Sequence, residues 1–186
     1  MGPLPDWAMF LPMQGITDLH VMWYPSIKEE LEKYCPKVIF EPLPNPSKGL
    51  FSEWMPFLEE RMKGSKQGVL VGHSRGAVAA MRYAEKHPLR MLVVVAPHYT
   101  DLNDPSEKAS GFYDAPWNWP LIKKNCPSIV MVYSRDDPFV SLEESRTIRD
   151  ALGAAYYEES EGHFTRPDRT IMPSLQESFH RVFQGF

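Results

Sequence analysis

The segment Gly72–Gly76 reads Gly-His-Ser-Arg-Gly and joins two stretches of different character. Gly68–Val71, directly before it, is apolar and typical of a buried strand, whereas Ala77–Ala84, directly after it, is typical of a helix. A serine on a sharp turn between a strand and a helix projects its hydroxyl from the edge of a sheet. The pattern therefore predicts a parallel α/β sheet with Ser74 as a nucleophile. The alternative is a glycine-rich turn in which Ser74 only caps the following helix.

The rest of the chain alternates short strand-like runs with amphipathic helical segments. The predicted strands are Trp7–Leu11, Val38–Glu41, Gly68–Val71, Met91–Ala96, Ile129–Ser134 and Ala155–Glu159. The predicted helices are Ile27–Tyr34, Leu50–Met62, Ala77–Lys86, a short helix near Trp117–Lys124, Leu142–Leu152 and Ile171–Phe183. Such alternation predicts an α/β fold with a mainly parallel six-stranded sheet and helices on both faces. No linker or repeat interrupts the pattern, so we expect a single domain over residues 1–186.

Ser74 needs a general base, and parallel sheets build their sites on the loops that follow the strands. Only His163, of the six histidines, follows the last predicted strand on a loop, and His73 in the turn is expected to point away. The loop after the fifth strand carries Asp136 and Asp137, and either carboxylate can orient an imidazole. We favour Asp137, because its order in the chain fits this architecture and the following proline holds it extended. Asp136 is expected to make local hydrogen bonds within the turn.

Stabilising an oxyanion beside Ser74 takes two N–H donors. The backbone N–H of Arg75 is predicted as the first, and Met13 or Gln14, on the loop after the first strand, as the second. Later loops supply a histidine and five aromatic residues as pocket candidates. These are His98, Tyr99, Phe112, Tyr113, Trp117 and Trp119. Their character predicts an apolar acyl or leaving group, and the alternative is that they only cover the sheet.

The composition of the chain limits the classes of molecule that the protein is expected to bind. The net charge of −4 leaves no basic excess for nucleic acid or anionic lipid, and no run of apolar residues is long enough to span a membrane. Cys35 and Cys126 lack the spacing of a disulfide framework or a zinc site, and we expect no metal or cofactor. The first fifteen residues contain no basic residue, unlike a signal or transit peptide. These features predict a cytoplasmic protein with reduced thiols, and without heptads it is expected to be a monomer.

Several blocks, in register over nearly the whole chain, are similar to one family of compact enzymes. The blocks are Val71–Ala77, Ala80–Glu85, Ala109–Tyr113, Pro116–Trp119, Asn125–Pro127, Asp136–Phe139 and Gly162–Phe164. They resemble the retinoblastoma-binding protein 9 family of small α/β-hydrolases. The resemblance implies six parallel strands without a large lid domain. It also implies Ser74 as the nucleophile, His163 as the general base and acid, and Asp137 as the carboxylate.

The sequence departs from this family in two places. The loop after the first strand tends to be glycine-rich in the family, whereas the segment Met13–Thr17 reads Met-Gln-Gly-Ile-Thr here. The family takes its name from retinoblastoma-protein binding through a Leu-x-Cys-x-Glu motif. Lys33 and Lys124 stand at the leucine position before Cys35 and Cys126, so that partner is not predicted.

Together these residues predict a metal-free serine hydrolase that cleaves a small ester or amide. The acyl group would pass to Ser74 and leave with a water molecule that His163 activates. The alternative is a noncatalytic module on a hydrolase scaffold that binds a protein through the aromatic loops. A third interpretation is acyl transfer to an acceptor other than water. The complete set of Ser74, Asp137 and His163 favours an enzyme over a bare scaffold.

Overall fold

The computed structural model describes residues 4–184. The first three residues of the segment considered as a possible leader, and the last two residues of the chain, lie outside this range. Within it, six strands form one parallel sheet in the order β2-β1-β3-β4-β5-β6. The strands are β1 Trp7–Leu11, β2 Lys37–Ile39, β3 Val69–His73, β4 Met91–Val95, β5 Ile129–Ser134 and β6 Ala155–Glu159. The predicted six-stranded parallel sheet is confirmed.

Seven helices connect or follow these strands in the described part of the chain. They are α1 Tyr24–Glu32, α2 Phe51–Arg61, α3 Arg75–Ala84, α4 Pro105–Ala109, α5 Trp119–Asn125, α6 Leu142–Leu152 and α7 Pro173–Gln184. The predicted bounds of α6 are those observed, and its first turn is capped by the Ser141 hydroxyl, which accepts from the backbone N–H of Glu144 at 3.1 Å. The sequence prediction did not include α4, which is only five residues long.

Alternate residues of the central strands face two separate hydrophobic layers. Met9 and Leu70 point to the side covered by α2, α3, α5 and α6, while Phe10 and Val71 point to the side covered by α1 and α7. Every side chain of β3 is buried. Because both faces of the sheet are covered, the open positions for a site lie at the ends of the strands.

A tight turn joins β3 to α3. Ser74 is its single residue and has φ 55° and ψ −122°, in a sparsely populated backbone region. Both flanking glycines are required by close packing. A Cβ on Gly72 would collide with the carbonyl oxygen of Gly76, and a Cβ on Gly76 would collide with the carbonyl oxygens of Leu11 and Pro12. The turn thus holds the Ser74 side chain at the carboxyl-terminal edge of the sheet.

None of the helices within residues 4–184 is long and apolar enough to cross a lipid bilayer. Cys35 and Cys126 are free and buried. Burial raises the pKa of each thiol to about 12. Both sulfurs therefore stay protonated and weakly reactive near neutral pH.

Candidate active site

A cleft of about 410 Å³ opens at the carboxyl-terminal edge of the sheet, beside Ser74 and His163. Loops that follow five of the six strands contribute to it. Its apolar lining residues are Met13, Leu102, Phe139 and Val140, and its other polar lining residues are Gln14, His98, Asp104, Ser106 and Glu107. The cleft therefore offers both an apolar surface and hydrogen-bonding groups to a small molecule.

Three side chains from three different loops form one continuous chain of hydrogen bonds at this cleft. Nε2 of His163 lies 2.9 Å from the Ser74 hydroxyl oxygen, and Nδ1 of His163 lies 2.7 Å from Oδ2 of Asp137. The side chains of His163 and Asp137 are 5% and 2% exposed. The structure thus brings together the three residues that the sequence predicted as base, carboxylate and nucleophile.

Asp137 is held as an ionised acceptor. Its Oδ1 accepts hydrogen bonds from the backbone N–H groups of Phe139 and Val140, at 2.8 and 3.0 Å. Burial alone raises the pKa of this carboxyl, but the hydrogen bonds from His163 and from the two backbone groups outweigh it and lower the pKa below its usual value. An ionised Asp137 keeps a proton on Nδ1 of His163, which leaves Nε2 to accept from the Ser74 hydroxyl.

Asp136 differs from its predicted role. Its Oδ1 accepts from the backbone N–H of Gly162 at 3.0 Å, which joins the loop after β5 to the loop that carries His163. The hydrogen bonds within its own turn are made by Asp137 instead. Two neighbouring aspartates therefore both contact the histidine loop, Asp137 through the imidazole and Asp136 through the backbone.

His73 points away from the cleft, as expected, but it is not without a role. Its ring is fully buried on the α1 side of the sheet, where Nδ1 lies 2.7 Å from the Tyr24 hydroxyl. Its Nε2 lies 2.9 Å from the carbonyl oxygen of His163. Burial lowers the pKa of His73 to about 3, so the ring is neutral. This orientation follows from the sequence, because His73 lies two residues after Val71 and side chains two residues apart on a strand share a face.

The loop after β1 lies beside the start of α3. The backbone N–H of Met13 donates to the Tyr24 hydroxyl at 3.3 Å. The Gln14 side chain donates to the carbonyl oxygen of Ser47 at 2.6 Å and to the Ser106 hydroxyl at 3.2 Å. These contacts anchor the loop at Met13 and at the Gln14 side chain, and the backbone N–H of Gln14 has no partner among residues 4–184. Arg75 occupies the first position of α3, where a backbone N–H has no partner within the helix.

The Arg75 side chain, which the sequence analysis did not single out, ties α3 to α4. It is fully buried and lies 3.0 Å from Oε1 of Glu107, and it donates to the Ser106 hydroxyl at 3.1 Å. It also donates to the carbonyl oxygen of Lys48 at 2.8 Å. Because Glu107 and Ser106 line the cleft, the Arg75 side chain fixes that part of the cleft relative to the Ser74 turn.

One of the six predicted pocket residues lines the cleft. It is His98, whose ring is buried and whose pKa is lowered by that burial. The other five do not line it: Tyr99, Phe112, Tyr113, Trp117 and Trp119. Phe112 is fully buried in the core, and the Tyr113 hydroxyl donates to Oε2 of Glu107 at 2.9 Å. The two tryptophans stack on each other with ring centroids 5.1 Å apart, and the Trp117 indole N–H donates to the carbonyl oxygen of Tyr99.

Phe139 was not among the predicted pocket residues. Its side chain is 66% exposed at the cleft, and its ring meets that of His163 edge to face with centroids 5.1 Å apart. An exposed aromatic ring beside the imidazole gives the cleft an apolar contact surface for a ligand.

Sequence comparison assigns the chain to a family. The family model described as "Serine hydrolase" matches residues 14–168. The serine hydrolase RBBP9 of Rattus norvegicus is 37% identical over 163 residues, which cover 86% of this chain and 88% of that protein. The chain belongs to the serine hydrolase family. This confirms the resemblance identified from the sequence blocks and makes the protein a hydrolase.

Solved structures of other hydrolases and related proteins share this serine hydrolase's fold. The ydeN gene product of B. subtilis matches with a TM-score of 0.85 at 20% identity, over 96% of this chain and 99% of that chain. Est1E of Butyrivibrio proteoclasticus matches with a TM-score of 0.67 at 11% identity, over 98% and 87% of the two chains. At these identities the likeness establishes the compact α/β-hydrolase fold.

The described part of the serine hydrolase contains no group of three or more His, Cys, Asp or Glu side chains that could hold a metal ion. The groups that face the cleft can exchange a proton and hold a negative charge. Ser74, His163 and the backbone N–H groups near them are suited to acyl transfer.

Proposed function

We propose that this serine hydrolase cleaves a small ester or amide through an acyl-Ser74 intermediate. Ser74 is the nucleophile, His163 the general base and acid, and Asp137 the carboxylate that orients the imidazole. The continuous chain of hydrogen bonds among these three side chains, at 2.9 and 2.7 Å, carries the proposal. A serine hydroxyl is a weak nucleophile on its own, and this arrangement supplies the base that activates it.

The first half of the reaction forms the acyl-enzyme. Nε2 of His163 takes the hydroxyl proton of Ser74 while the oxygen attacks the carbonyl carbon of the substrate. The tetrahedral intermediate collapses, the bond to the leaving group breaks, and His163 returns the proton to the leaving alcohol or amine. In the second half, His163 deprotonates a water molecule that attacks the acyl carbon, and it returns that proton to the Ser74 oxygen as the bond between the acyl carbon and this oxygen breaks. The acid is released and the Ser74 hydroxyl is restored.

The developing oxyanion needs donors that are not already occupied. We assign these to the backbone N–H groups of Arg75 and Gln14. Of the two candidates on the loop after β1, the N–H of Met13 is already engaged by the Tyr24 hydroxyl, which favours Gln14. The N-terminus of α3 adds its positive dipole end at the same point. Losing one such donor costs about 3 kcal/mol of transition-state stabilisation.

The size and lining of the cleft favour a small substrate with an apolar part. Met13, Leu102, Phe139 and Val140 supply the apolar surface, within a cleft of about 410 Å³. A volume of that size is at the lower end of the range for sites that bind small molecules. We therefore place the acyl or leaving group against these side chains.

The test is covalent labelling with a fluorophosphonate, read by intact mass. The native protein should gain one adduct, and the variants Ser74→Ala and His163→Ala should gain none. Ser52→Ala and His20→Ala are matched controls, because both residues are exposed and lie outside the cleft. They should label like the native protein.

The other outcomes are equally informative. An adduct that persists in Ser74→Ala would place the reactive group elsewhere and refute the mechanism. No adduct on the native protein would refute an assembled serine nucleophile and favour a noncatalytic binding module.

If the native protein is labelled, hydrolysis of an ester and of an anilide of the same acid should be compared. Equal kcat for the two substrates would reveal rate-limiting release of a common acyl-enzyme.

A further inference from the structure

We propose that Tyr24 and His73 are positioning residues that lock the loop of the oxyanion donor to the loop of the general base. The inference rests on the proposed function, because it assigns a role to groups that touch neither substrate nor Ser74. Its basis is a chain of three hydrogen bonds, two of them buried, that runs from Met13 through Tyr24 and His73 to His163. We call this chain the Tyr24–His73 relay.

The direction of every hydrogen bond in the relay is fixed by chemistry. The carbonyl oxygen of His163 can only accept, so Nε2 of His73 at 2.9 Å must carry the hydrogen. The ring is neutral, so its Nδ1 has a lone pair and accepts from the Tyr24 hydroxyl at 2.7 Å. The Tyr24 oxygen is then free to accept from the backbone N–H of Met13 at 3.3 Å. Met13, Tyr24 and His73 each donate one hydrogen bond, the carbonyl oxygen of His163 only accepts, and no two donors or acceptors face each other.

The two side chains of the relay lie in the hydrophobic layer on the α1 side of the sheet. Tyr24 and His73 are both fully buried. The His73 ring packs against Trp23 with centroids 5.3 Å apart, and the Tyr24 ring packs against Phe10 with centroids 4.5 Å apart. Burial lowers the pKa of His73 and raises that of Tyr24, so both keep the protonation state that the relay needs. Hydrogen bonds of this kind are costly to break in a low dielectric.

One further contact shows that the start of α1 also supports the loop that carries His163. The indole N–H of Trp23 donates to the carbonyl oxygen of Phe164 at 3.0 Å. Phe164 follows His163 and has φ 59°, a backbone conformation that needs support from its surroundings. Trp23 therefore holds the carbonyl oxygen of Phe164 directly, and Tyr24 holds the carbonyl oxygen of His163 through His73.

The relay explains which donor faces the substrate. Because Tyr24 takes the N–H of Met13, the loop is turned so that the N–H of Gln14 remains available. The same hydroxyl orients His73, which sets the backbone position of His163. Breaking the relay should therefore disturb the base and the oxyanion donor together, and a shift of about 1 Å in such groups can cost 100-fold in rate.

The experiment measures kcat and KM for hydrolysis of p-nitrophenyl acetate. Tyr24→Phe and His73→Phe should each lower kcat by about 10- to 100-fold and change KM by less than about 3-fold. The double variant should be no slower than the slower single variant, because both changes break one relay. His73→Gln keeps a donor and an acceptor and should stay within about 5-fold of the native kcat. Tyr34→Phe, beyond the other end of α1, is the matched control and should leave kcat unchanged.

The proposal is overturned if Tyr24→Phe and His73→Phe keep kcat within about 2-fold of native, or if their effects multiply in the double variant. Tyr24→Phe removes a single oxygen and keeps the packing, so it decides the matter even if His73→Phe does not fold. Ser74→Ala separates this result from failure of the proposed function. An active Ser74→Ala refutes both, whereas an inactive Ser74→Ala with a fully active Tyr24→Phe refutes the relay alone.

Discussion

His73 should make the stability of the fold fall in mild acid. The ring is fully buried, and its pKa drops from an ordinary value of 6.5 to about 3 because burial disfavours the charged imidazolium. Above pH 6.5 the ring is neutral in both the folded and the unfolded chain. Between 6.5 and about 3 the unfolded chain binds one proton that the folded chain does not. Stability contributed by His73 is therefore complete above pH 6.5 and is lost as the pH falls.

The size of this loss of stability follows from the one proton that the unfolded chain binds at His73. Each unit of acidification in this window lowers the free energy of unfolding by about 1.4 kcal/mol. Between about pH 8 and about pH 5 the loss amounts to about 2 kcal/mol, and any folded-state pKa below about 4 gives the same figure. Other groups titrate as well, so the difference between two proteins is the quantity to measure.

The comparison is between the native protein and His73→Gln, which keeps a donor and an acceptor but does not titrate. Urea unfolding at about pH 8 and about pH 5 should show that the native protein loses about 2 kcal/mol more than the variant. Asp137 is common to both proteins, and its lowered pKa acts in the same direction in each. Equal losses in the two proteins would mean that His73 gains its proton as easily when folded, and the argument from burial would be wrong.

Four other substitutions should have distinct effects. Gly76→Ala places a Cβ against backbone oxygens and should lower the free energy of unfolding by at least about 3 kcal/mol, measured by urea unfolding. Asp137→Asn should lower kcat roughly 10⁴-fold, whereas Asp136→Asn, which contacts only the backbone of the histidine loop, should lower it less than about 10-fold in the same ester assay. Glu107→Gln leaves the buried guanidinium of Arg75 without a counter-charge and should cost about 3–5 kcal/mol of stability, measured by urea unfolding.

The sheet could be predicted from the sequence because its central strands are buried on both faces. Such strands appear as continuous apolar runs, and the predicted bounds of β1 and β5 are those observed. The start of α1 was placed three residues too late, at Ile27 instead of Tyr24. Pro25 lies in the first turn of the helix, where the missing N–H costs nothing, so the helix can begin before it.

The approach of Ser74, Asp137 and His163 to one another could be predicted because each follows a strand. The carboxyl ends of parallel strands meet at one edge of the sheet, so loop order is enough to place these residues together. The five misplaced aromatic residues, such as Phe112 and Trp117, follow no such rule. A loop has no periodicity that tells which side chains turn inward, and here Trp117 stacks under the Arg82 guanidinium at 3.6 Å.

The contributions of Asp136 and Tyr24 also lay beyond the sequence. Asp136 contacts a backbone N–H 26 residues away, and Tyr24 contacts a ring 49 residues away. Hydrogen bonds over such separations depend on how loops and helices dock, which local propensity does not specify. Short helices are similarly hard to predict, although Asp104 before Pro105 is a good start signal for α4.

Every group of the cleft comes from the carboxyl-terminal edge of the sheet, which leaves the opposite edge available for attachment chemistry. The loop between α2 and β3 lies at that opposite edge, and Lys63 and Lys66 on it are exposed. Coupling the protein to a solid support through these two amines would turn the mouth of the cleft toward the solution. An immobilised form made in this way should keep its access to substrate, because loops on the far edge of a parallel sheet take no part in the site.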